Sequence, residues 1–204
     1  MKTTNPLIFI TCIKNPMAQQ KLTVEEMGRM DVAAFRQASK LPLVMVLDNV
    51  RSLHNIGSIF RTADAFRLSG LWLCGITATP ERNLVEIHKT ALGAEESVEW
   101  HYAAHTLDAV EELRREGYTI VAIEQCHGST MLNEWRAWQD LRPRRPYAFI
   151  MGNEVKGVDQ RVVDAADLVI EIPQYGTKHS LNVSVTAGIV MWEVIRQALL
   201  CGMI

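Results

Sequence analysis

The stretch IEIPQYGTKHSLNVSVTAGI, residues 170–189, combines residue types that a plain core element would not select. Its strand-like start is stopped by Pro173, which cannot donate a hydrogen bond to a β-ladder. A turn at Gly176 follows, and a long apolar helix is predicted over residues 183–200, with Ser180 as its N-cap. A helix N-terminus behind a polar loop presents free N–H groups to a ligand. The stretch therefore favours a binding site about as strongly as it favours a solvated cap.

Outward from this stretch, apolar runs of strand length alternate with helical patterns. Strands are predicted at 43–47, 71–74, 97–100, 119–123, 147–151 and 168–172, and helices at 23–40, 55–66, 81–92, 106–116, 131–138, 158–166 and 183–200. Continuous apolar runs are typical of parallel strands that are buried on both faces. The alternation predicts an α/β fold with a mostly parallel sheet and helices on both of its faces.

Length and composition restrict the class of protein further. The 204 residues suit one domain with an appendage, and 48% hydrophobic residues are enough for a full core. A net charge of -2 argues against a generally basic surface, so any nucleic acid must meet a local patch or a surface built by two subunits. The four cysteines form no CxxC pair, which indicates neither a zinc site nor a disulfide framework.

The first 42 residues are predicted to form an arm and a helix that precede the main domain, residues 43–204. Thr23 and Glu26 have the spacing of a capping box, and apolar residues recur at helical spacing from there to Lys40. No signal-peptide pattern and no uninterrupted apolar run of membrane-spanning length is found, so we expect a soluble, cytoplasmic chain.

Two further polar turns follow predicted strands. The first, after Asp48, leads into a helix that carries Asn55, Gly57 and Arg61. On helical spacing Arg61 can project along the face that Gly57 leaves open, or it can simply pair with an acidic neighbour. The second turn, Gly152-Asn153-Glu154, follows a buried strand, and Gly152 allows the backbone to come close to a ligand.

Together the three turns resemble one family. Asn55 with Arg61 six residues later, then Gly-Asn-Glu-x-x-Gly at 152–157, then Ile-Pro-x-x-Gly and Ser-Leu-Asn at 172–182 are similar to the three ordered motifs of the SpoU (TrmH-like) branch of the SPOUT RNA methyltransferases. The resemblance spans about residues 43–197. It implies a C-terminal deep trefoil knot, a homodimer and S-adenosylmethionine as the methyl donor.

The implied reaction is methyl transfer to a ribose 2′-hydroxyl of RNA, with no metal. The resemblance implies these catalytic residues: Asn55, Arg61, Glu154, Ser180 and Asn182. It implies these cofactor-binding residues: Glu124, Gly152, Ile172 and Leu181. Because a guanidinium does not deprotonate in a protein, Arg61 is expected to orient a phosphate or the nucleophile and to stabilise negative charge. Glu154 is expected to pair either with Arg61 or with the backbone of the turn.

Contacts with RNA are expected from the N-terminal arm and helix, from the dimer surface and from these basic residues: Arg51, Arg142, Arg144, Arg145, Lys178 and His179. The run from 142 to 146 also suits a solvated connector. Tyr175 and Trp135 could stack on a base, although aromatic residues in such positions are more often core or dimer contacts. The third motif, with Gln174 after the proline, resembles that of enzymes that methylate a guanosine in the tRNA D-loop. This favours tRNA over 23S rRNA as the substrate. The alternative to an enzyme is a non-catalytic RNA-binding module with the same fold.

Overall fold

The computed structural model describes residues 20–23, 25–137 and 145–202 of the chain. By its contacts the chain divides into two units, Met1–Asp31 and Val32–Ile204. Every helix and strand found in the described residues belongs to the second unit.

In the first unit the predicted capping box forms, but no helix follows it. The backbone N–H of Thr23 donates to Oε2 of Glu26 at 2.7 Å, and the N–H of Glu26 donates to Oγ1 of Thr23 at 3.3 Å. Gly28 then adopts a φ of +57°, a left-handed conformation that ends a helical turn. The predicted helix over 23–40 is therefore wrong, since the structure has a turn here and a helix only at α1, Val32–Gln37.

Seven parallel strands form one sheet in the second unit. They are β1 (Leu41–Asp48), β2 (Leu68–Cys74), β3 (Trp100–Ala103), β4 (Thr119–Ile123), β5 (Thr130–Met131), β6 (Tyr147–Met151) and β7 (Leu168–Glu171). The strand order is β3-β2-β1-β6-β4-β7-β5, and each neighbouring pair is parallel. The three central strands β1, β6 and β4 are almost entirely buried, as their unbroken apolar sequences predict.

Helices cover both faces of the sheet. They are α2 (Leu53–Ala65), α3 (Pro80–Ala91), α4 (Ala94–Ser97), α5 (Thr106–Arg115), α6 (Gln160–Ala165) and α7 (Val183–Leu200). One core cluster joins α2, α3 and α7 to one face, and a second joins α5 and α6 to the other. The α/β class with a parallel sheet and helices on both faces is confirmed.

Two predicted elements are wrong, and local hydrogen bonds explain why. Ser97, predicted to start a strand, ends the short helix α4 because its hydroxyl bonds to the carbonyl of Ala94 and to the carboxylate of Asp64. The helix predicted over 131–138 is replaced, in its described part, by strand β5 and a turn. Pairing of Met131 with Glu171 of β7 outweighs its local helix propensity.

Helix α7 is long and largely apolar, although Glu193 and Arg196 interrupt its apolar sequence. It has 18 residues and a mean hydropathy of 1.4, so by length and composition alone it could cross a membrane. However, 44% of it is buried inside the domain. The amide of Gln197, within this helix, accepts a hydrogen bond from the N–H of Ala137 and donates one to the carbonyl of Trp135. Packing in the core therefore explains the apolar residues on the buried side of this helix.

The packing of α2 against α3 depends on Gly57. A Cβ atom at this position would lie 2.2 Å from Oγ1 of Thr90 and 2.3 Å from the carbonyl oxygen of Ile87. Gly57 therefore does not leave a face open for Arg61, as its spacing suggested, because α3 fills that face.

We predict that Gly57→Ala lowers the free energy of unfolding by about 1–3 kcal/mol, because the new methyl group meets backbone that cannot move aside. Ser58→Ala, the neighbouring position on the same helix, is the matched control and should change stability by less than about 0.5 kcal/mol. Urea denaturation of both variants gives the two values. A Gly57→Ala variant as stable as the control would show that the two helices can separate at little cost.

Candidate functional site

A cavity of about 540 Å³ lies at the carboxyl ends of β4, β6 and β7. Such an edge is where open parallel α/β sheets place their ligands. Three loops border the cavity, and their lining residues lie in 123–125, 151–157 and 171–186. All four residues predicted to bind a cofactor are among them: Glu124, Gly152, Ile172 and Leu181.

The loop after β6 is a tight turn built by two glycines. Asn153 and Gly157 exchange backbone hydrogen bonds of 2.9 Å in both directions. A Cβ at Gly152 would lie 2.1 Å from the carbonyl carbon of Gly157, and a Cβ at Gly157 would lie 2.1 Å from Oε2 of Glu124. Both glycines are thus required by the turn itself, which corrects the interpretation that Gly152 makes room for a ligand.

Glu124 and Asp48 hold the chain as it leaves this turn. Oε2 of Glu124, at the end of β4, accepts from the N–H of Val158 at 2.8 Å. Oδ2 of Asp48, at the end of β1 and almost fully buried, accepts from the next N–H, that of Asp159, at 3.0 Å. Two carboxylates on the strands that flank β6 therefore fix the position of the turn between them.

The carboxylate of Glu154 binds the start of α2. It accepts from the backbone N–H groups of Arg51 and Ser52 at 3.1 and 3.0 Å, and from Nδ2 of Asn55 at 3.2 Å. Loss of solvent raises the pKa of a carboxyl group, but here the hydrogen bonds outweigh it, and the pKa of Glu154 lies below its ordinary value. Of the two partners expected for Glu154, the structure shows the backbone and not Arg61.

Asn182 connects the third turn to the other two. Its Nδ2 donates to Oδ1 of Asn55 at 3.1 Å, while its Oδ1 accepts from the N–H groups of Ser184 and Val185 at the start of α7. Asn182 is therefore the N-cap of α7, and the prediction of Ser180 as the cap is wrong. The hydroxyl of Ser184 also donates to Oδ1 of Asn182 at 2.7 Å. Glu154, Asn55 and Asn182 form one continuous chain of hydrogen bonds.

Arg61 stands apart from the other predicted catalytic residues. It lies on the exposed side of α2 and is not among the residues that line the cavity. Among the described residues no carboxylate forms an ion pair with it, and Asp64 is bonded to Ser97 instead. Ser180, by contrast, lines the cavity. Hydrogen bonds thus join Asn55, Glu154 and Asn182, and Ser180 shares the cavity wall with Glu154 and Asn182. Arg61 takes part in neither arrangement.

Only some of the predicted RNA contacts lie at this edge, because Arg145 precedes β6 and so lies at the opposite, amino end of that strand. His179 lines the cavity, and Lys178, Arg51 and Arg145 are exposed. Arg142 and Arg144 lie outside the described residues.

The two aromatic residues that could stack on a base, Trp135 and Tyr175, differ in their exposure to solvent. The side chain of Trp135 is 6% exposed and packs edge-on against the rings of Tyr147 and Phe149, so it belongs to the core. Tyr175, beside the cavity residue Gln174, is 95% exposed. Sequence reasoning missed Lys156 and Glu171, which both line the cavity. A single charged residue in a loop, such as Lys156, or at the end of a strand, such as Glu171, gives no periodic signal.

The fold and the site define a class: a parallel α/β domain with a ligand cavity at its strand ends, closed by three turns that hydrogen bonds hold together. Residues 42–192 match the SpoU rRNA Methylase family, and the chain belongs to this family.

Similar proteins agree with this membership. A Staphylococcus haemolyticus protein assigned to the TrmH family of tRNA/rRNA methyltransferases is 31% identical over 175 residues, covering 82% of this chain and 65% of its own. The 23S rRNA (guanosine-2′-O-)-methyltransferase RlmB of Nitrosomonas europaea is 32% identical over 160 residues, covering 76% and 56%. The chain thus spans less than two thirds of the length of these relatives.

Two solved structures share the fold. The TrmH/SpoU tRNA modifying enzyme of A. aeolicus has a TM-score of 0.70 and 29% identity, with 84% of this chain and 82% of that chain covered. The AdoMet-bound rRNA methyltransferase of Sinorhizobium meliloti has a TM-score of 0.69 and 29% identity, with 79% and 59% covered.

We predict that the Glu154 carboxyl titrates below the ordinary value of about 4.3 in the folded protein, and that Asn55→Ala raises this pKa towards the ordinary value by removing one donor. Because the folded pKa is lowered, the stabilisation by Glu154 is fully present above the unfolded pKa and is lost as the pH falls through the folded one. Carboxyl-detected NMR titration measures both pKa values. An unchanged pKa in Asn55→Ala would mean that the side-chain amide does not reach the carboxylate in solution.

Proposed function

We propose that residues 43–204 form an S-adenosylmethionine-dependent RNA methyltransferase domain that acts on a ribose 2′-hydroxyl, with a guanosine in the tRNA D-loop as the favoured target. The main observation behind this proposal is the series of hydrogen bonds from Glu154 to Asn55 and from Asn55 to Asn182, which joins the three motifs beside the cavity. Relatives act on tRNA or on rRNA, and Gln174 is the reason for favouring tRNA.

The cavity suits the cofactor in size and in chemistry. Its volume of about 540 Å³ lies within the usual range for small-molecule sites. Ile123, Ile172 and Leu181 provide apolar surface for an adenine ring, and the glycine turn provides backbone groups close to the cavity. When bound, S-adenosylmethionine supplies a methyl group on a sulfonium, already activated for displacement. Glu124, Gly152, Ile172 and Leu181 would hold it there.

The remaining tasks belong to side chains of this protein. Transfer needs an aligned hydroxyl, a path for its proton and neutralisation of nearby negative charge. Asn55 and Asn182 are rigidly placed by their shared hydrogen bond and can orient the ribose, as can the hydroxyl of Ser180 at the cavity wall. Arg61, exposed and without an ion-pair partner in the described part of the chain, is available for a phosphate or for the nucleophile.

The family's deep trefoil knot is part of this proposal. The chain visits β4 and β5 before β6, yet β6 lies between β1 and β4 in the sheet. After β7 the chain returns to the end of β4, where Nε2 of Gln125 donates to the carbonyl of His179 at 2.9 Å. It then packs Gln197 against residues 135 and 137. These crossings support a C-terminal segment that is threaded and not merely laid on the surface.

A homodimer is proposed from the exposed side of α7. Val185, Ile189 and Trp192 are 51%, 37% and 52% exposed, and their spacing places them on one stripe of the helix. An apolar stripe of this kind, in a chain whose motifs imply a dimer, suits a second copy of the chain.

A cytoplasmic location is also proposed. The three described cysteines, Cys74, Cys126 and Cys201, are free thiols, as expected in a reducing compartment. Burial, with a smaller effect of Asp48, raises the pKa of Cys74 to about 12, so this thiol stays protonated and inert.

The proposal is tested by calorimetric titration of S-adenosylmethionine into the protein and by labelled methyl transfer to bulk tRNA and rRNA in the same preparation. Binding with 2′-O-methyl product in tRNA is the expected result. Product in rRNA alone would show that rRNA, and not tRNA, is the substrate. Binding of S-adenosylmethionine without product would favour a non-catalytic RNA-binding module. Absence of binding would refute the proposal.

We predict that Arg61→Ala lowers the rate of methyl transfer by about 100-fold or more, because it removes charge stabilisation from the transition state. Affinity for the cofactor and for RNA should stay within a few-fold. Arg82→Ala, which removes an exposed arginine of α3, is the matched control and should keep full activity. Single-turnover assays give the rates. Full activity of Arg61→Ala would remove this residue from the catalytic set.

We predict that Trp192→Glu converts the protein to a monomer, because a carboxylate placed in an apolar interface must be desolvated without a partner. Val85→Glu, at a residue of α3 that is 73% exposed, is the control and should leave the dimer intact. Sedimentation velocity measures the mass of each. A dimeric Trp192→Glu variant would place the interface elsewhere.

A further inference from the structure

The rim of the cavity carries a feature that neither the fold nor the hydrogen-bonded chain requires. Tyr175 is 95% exposed and Val155 is 78% exposed, the two most exposed large apolar side chains in the described part of the chain. They lie on different loops, Val155 on the turn after β6 and Tyr175 on the loop after β7, and both loops line the cavity. The two most exposed apolar side chains are thus carried by loops that border the cavity, where contact with water would otherwise favour polar residues.

Each of these rim loops also carries a lysine. Lys156 directly follows Val155 and lines the cavity, and Lys178 lies three residues after Tyr175. Neither ammonium group forms an ion pair within 4.0 Å among the described residues. The backbone of Lys156 is nevertheless fixed, because its N–H donates to Oδ1 of Asn153 at 3.2 Å.

The acidic groups close to this rim are already engaged. Glu154 binds the start of α2, Glu124 binds the N–H of Val158, and Glu171 accepts from the hydroxyl of Ser129 at 2.9 Å. Asp159, the acid that acts electrostatically on Lys156, is paired with Arg161. The two lysines are therefore left to attract an anion from outside.

Apolar surface next to unpaired cations is the chemistry that recognises an unpaired nucleotide. An aromatic ring stacks on the face of a base, a second apolar side chain can cover the other face, and ammonium groups neutralise the flanking phosphates. A base in a duplex offers neither face, because its neighbours cover both.

We propose that Tyr175 and Val155 hold the base of an unpaired nucleotide at the mouth of the cavity, with Lys156 and Lys178 on its phosphates. This inference rests on the proposed function and narrows it. The substrate must present a single-stranded or looped-out nucleotide at the methylation site, and Tyr175 determines that specificity.

The test uses the chain of residues 1–204 and two probes, a fluorescein-labelled unpaired oligouridylate of about 12 nucleotides and a duplex of the same length. The unpaired probe should bind wild-type protein more tightly than the duplex. Tyr175→Ala should weaken binding of the unpaired probe by about 5- to 150-fold, as expected when one base no longer stacks, and leave duplex binding unchanged. Tyr175→Phe should retain wild-type affinity.

Tyr102→Ala is the matched control. Tyr102 is a 51% exposed tyrosine on β3, at the opposite end of the sheet from β7 and β5, and its removal should not affect either probe. Lys156→Ala with Lys178→Ala should reduce the dependence of log affinity on log salt by about 0.7 for each phosphate that is no longer neutralised.

Several outcomes would overturn the inference: equal affinity of wild type for both probes, no binding of either, equal weakening of both in Tyr175→Ala, or an effect of Tyr175→Ala that sedimentation traces to a broken dimer. These failures are distinct from failure of the proposed function, which would appear as absence of cofactor binding in wild-type protein. Normal methyl transfer to tRNA by a Tyr175→Ala variant with an unchanged KM would remove the stacking role alone.

Discussion

The carboxylate of Glu154 is the interaction on which the rest of the site depends. Its oxygens accept from two backbone N–H groups at the start of α2 and from Asn55. A helix N-terminus has unsatisfied donors that attract negative charge, so these hydrogen bonds attach the turn after β6 to the start of α2. Asn55, with one amide hydrogen engaged in this way, presents its oxygen to Asn182 and so fixes the start of α7. Removing the carboxylate would leave three donors without a partner.

The parallel sheet makes this arrangement possible. Because β1, β6, β4 and β7 are adjacent and parallel, their carboxyl ends lie at one edge, and turns far apart in sequence meet there. Asp48 and Glu124 hold consecutive N–H groups on the chain leaving the β6 turn. The turn after β6, which lines the cavity, is therefore held in place by hydrogen bonds to carboxylates on both neighbouring strands. The rim of the cavity, in contrast, consists of exposed side chains that make few contacts with the protein.

Features set by the local sequence could be predicted, whereas features set by contacts between residues far apart in the sequence could not. Strands β1, β4 and β6 are unbroken apolar runs, and local composition was sufficient to identify them. Asn182 was misassigned because Ser180 is an equally good cap locally, and only the bond to Asn55, 127 residues away, selects between them. The short strand β5 was missed for the same reason, since its pairing with β7 has no signal in residues 130–131. Gly57 is needed because α3 packs closely against it, and the spacing of residues within α2 cannot reveal a contact with another helix.

Charge explains why the cavity of one chain suits a cofactor better than it suits a polyanion. Its lining carries Glu124, Glu154 and Glu171 against a single lysine, Lys156. A sulfonium is compatible with such a wall, whereas an RNA phosphate is not, and the net charge of the whole chain is -2. The cations that RNA needs must then stand at the rim or outside the cavity: Lys156 and Lys178 at the rim, and Arg61 on α2. Helix α2 packs against α7, whose exposed apolar stripe is the proposed dimer face. A dimer formed on that stripe would therefore place the second copy beside the helix that carries Arg61.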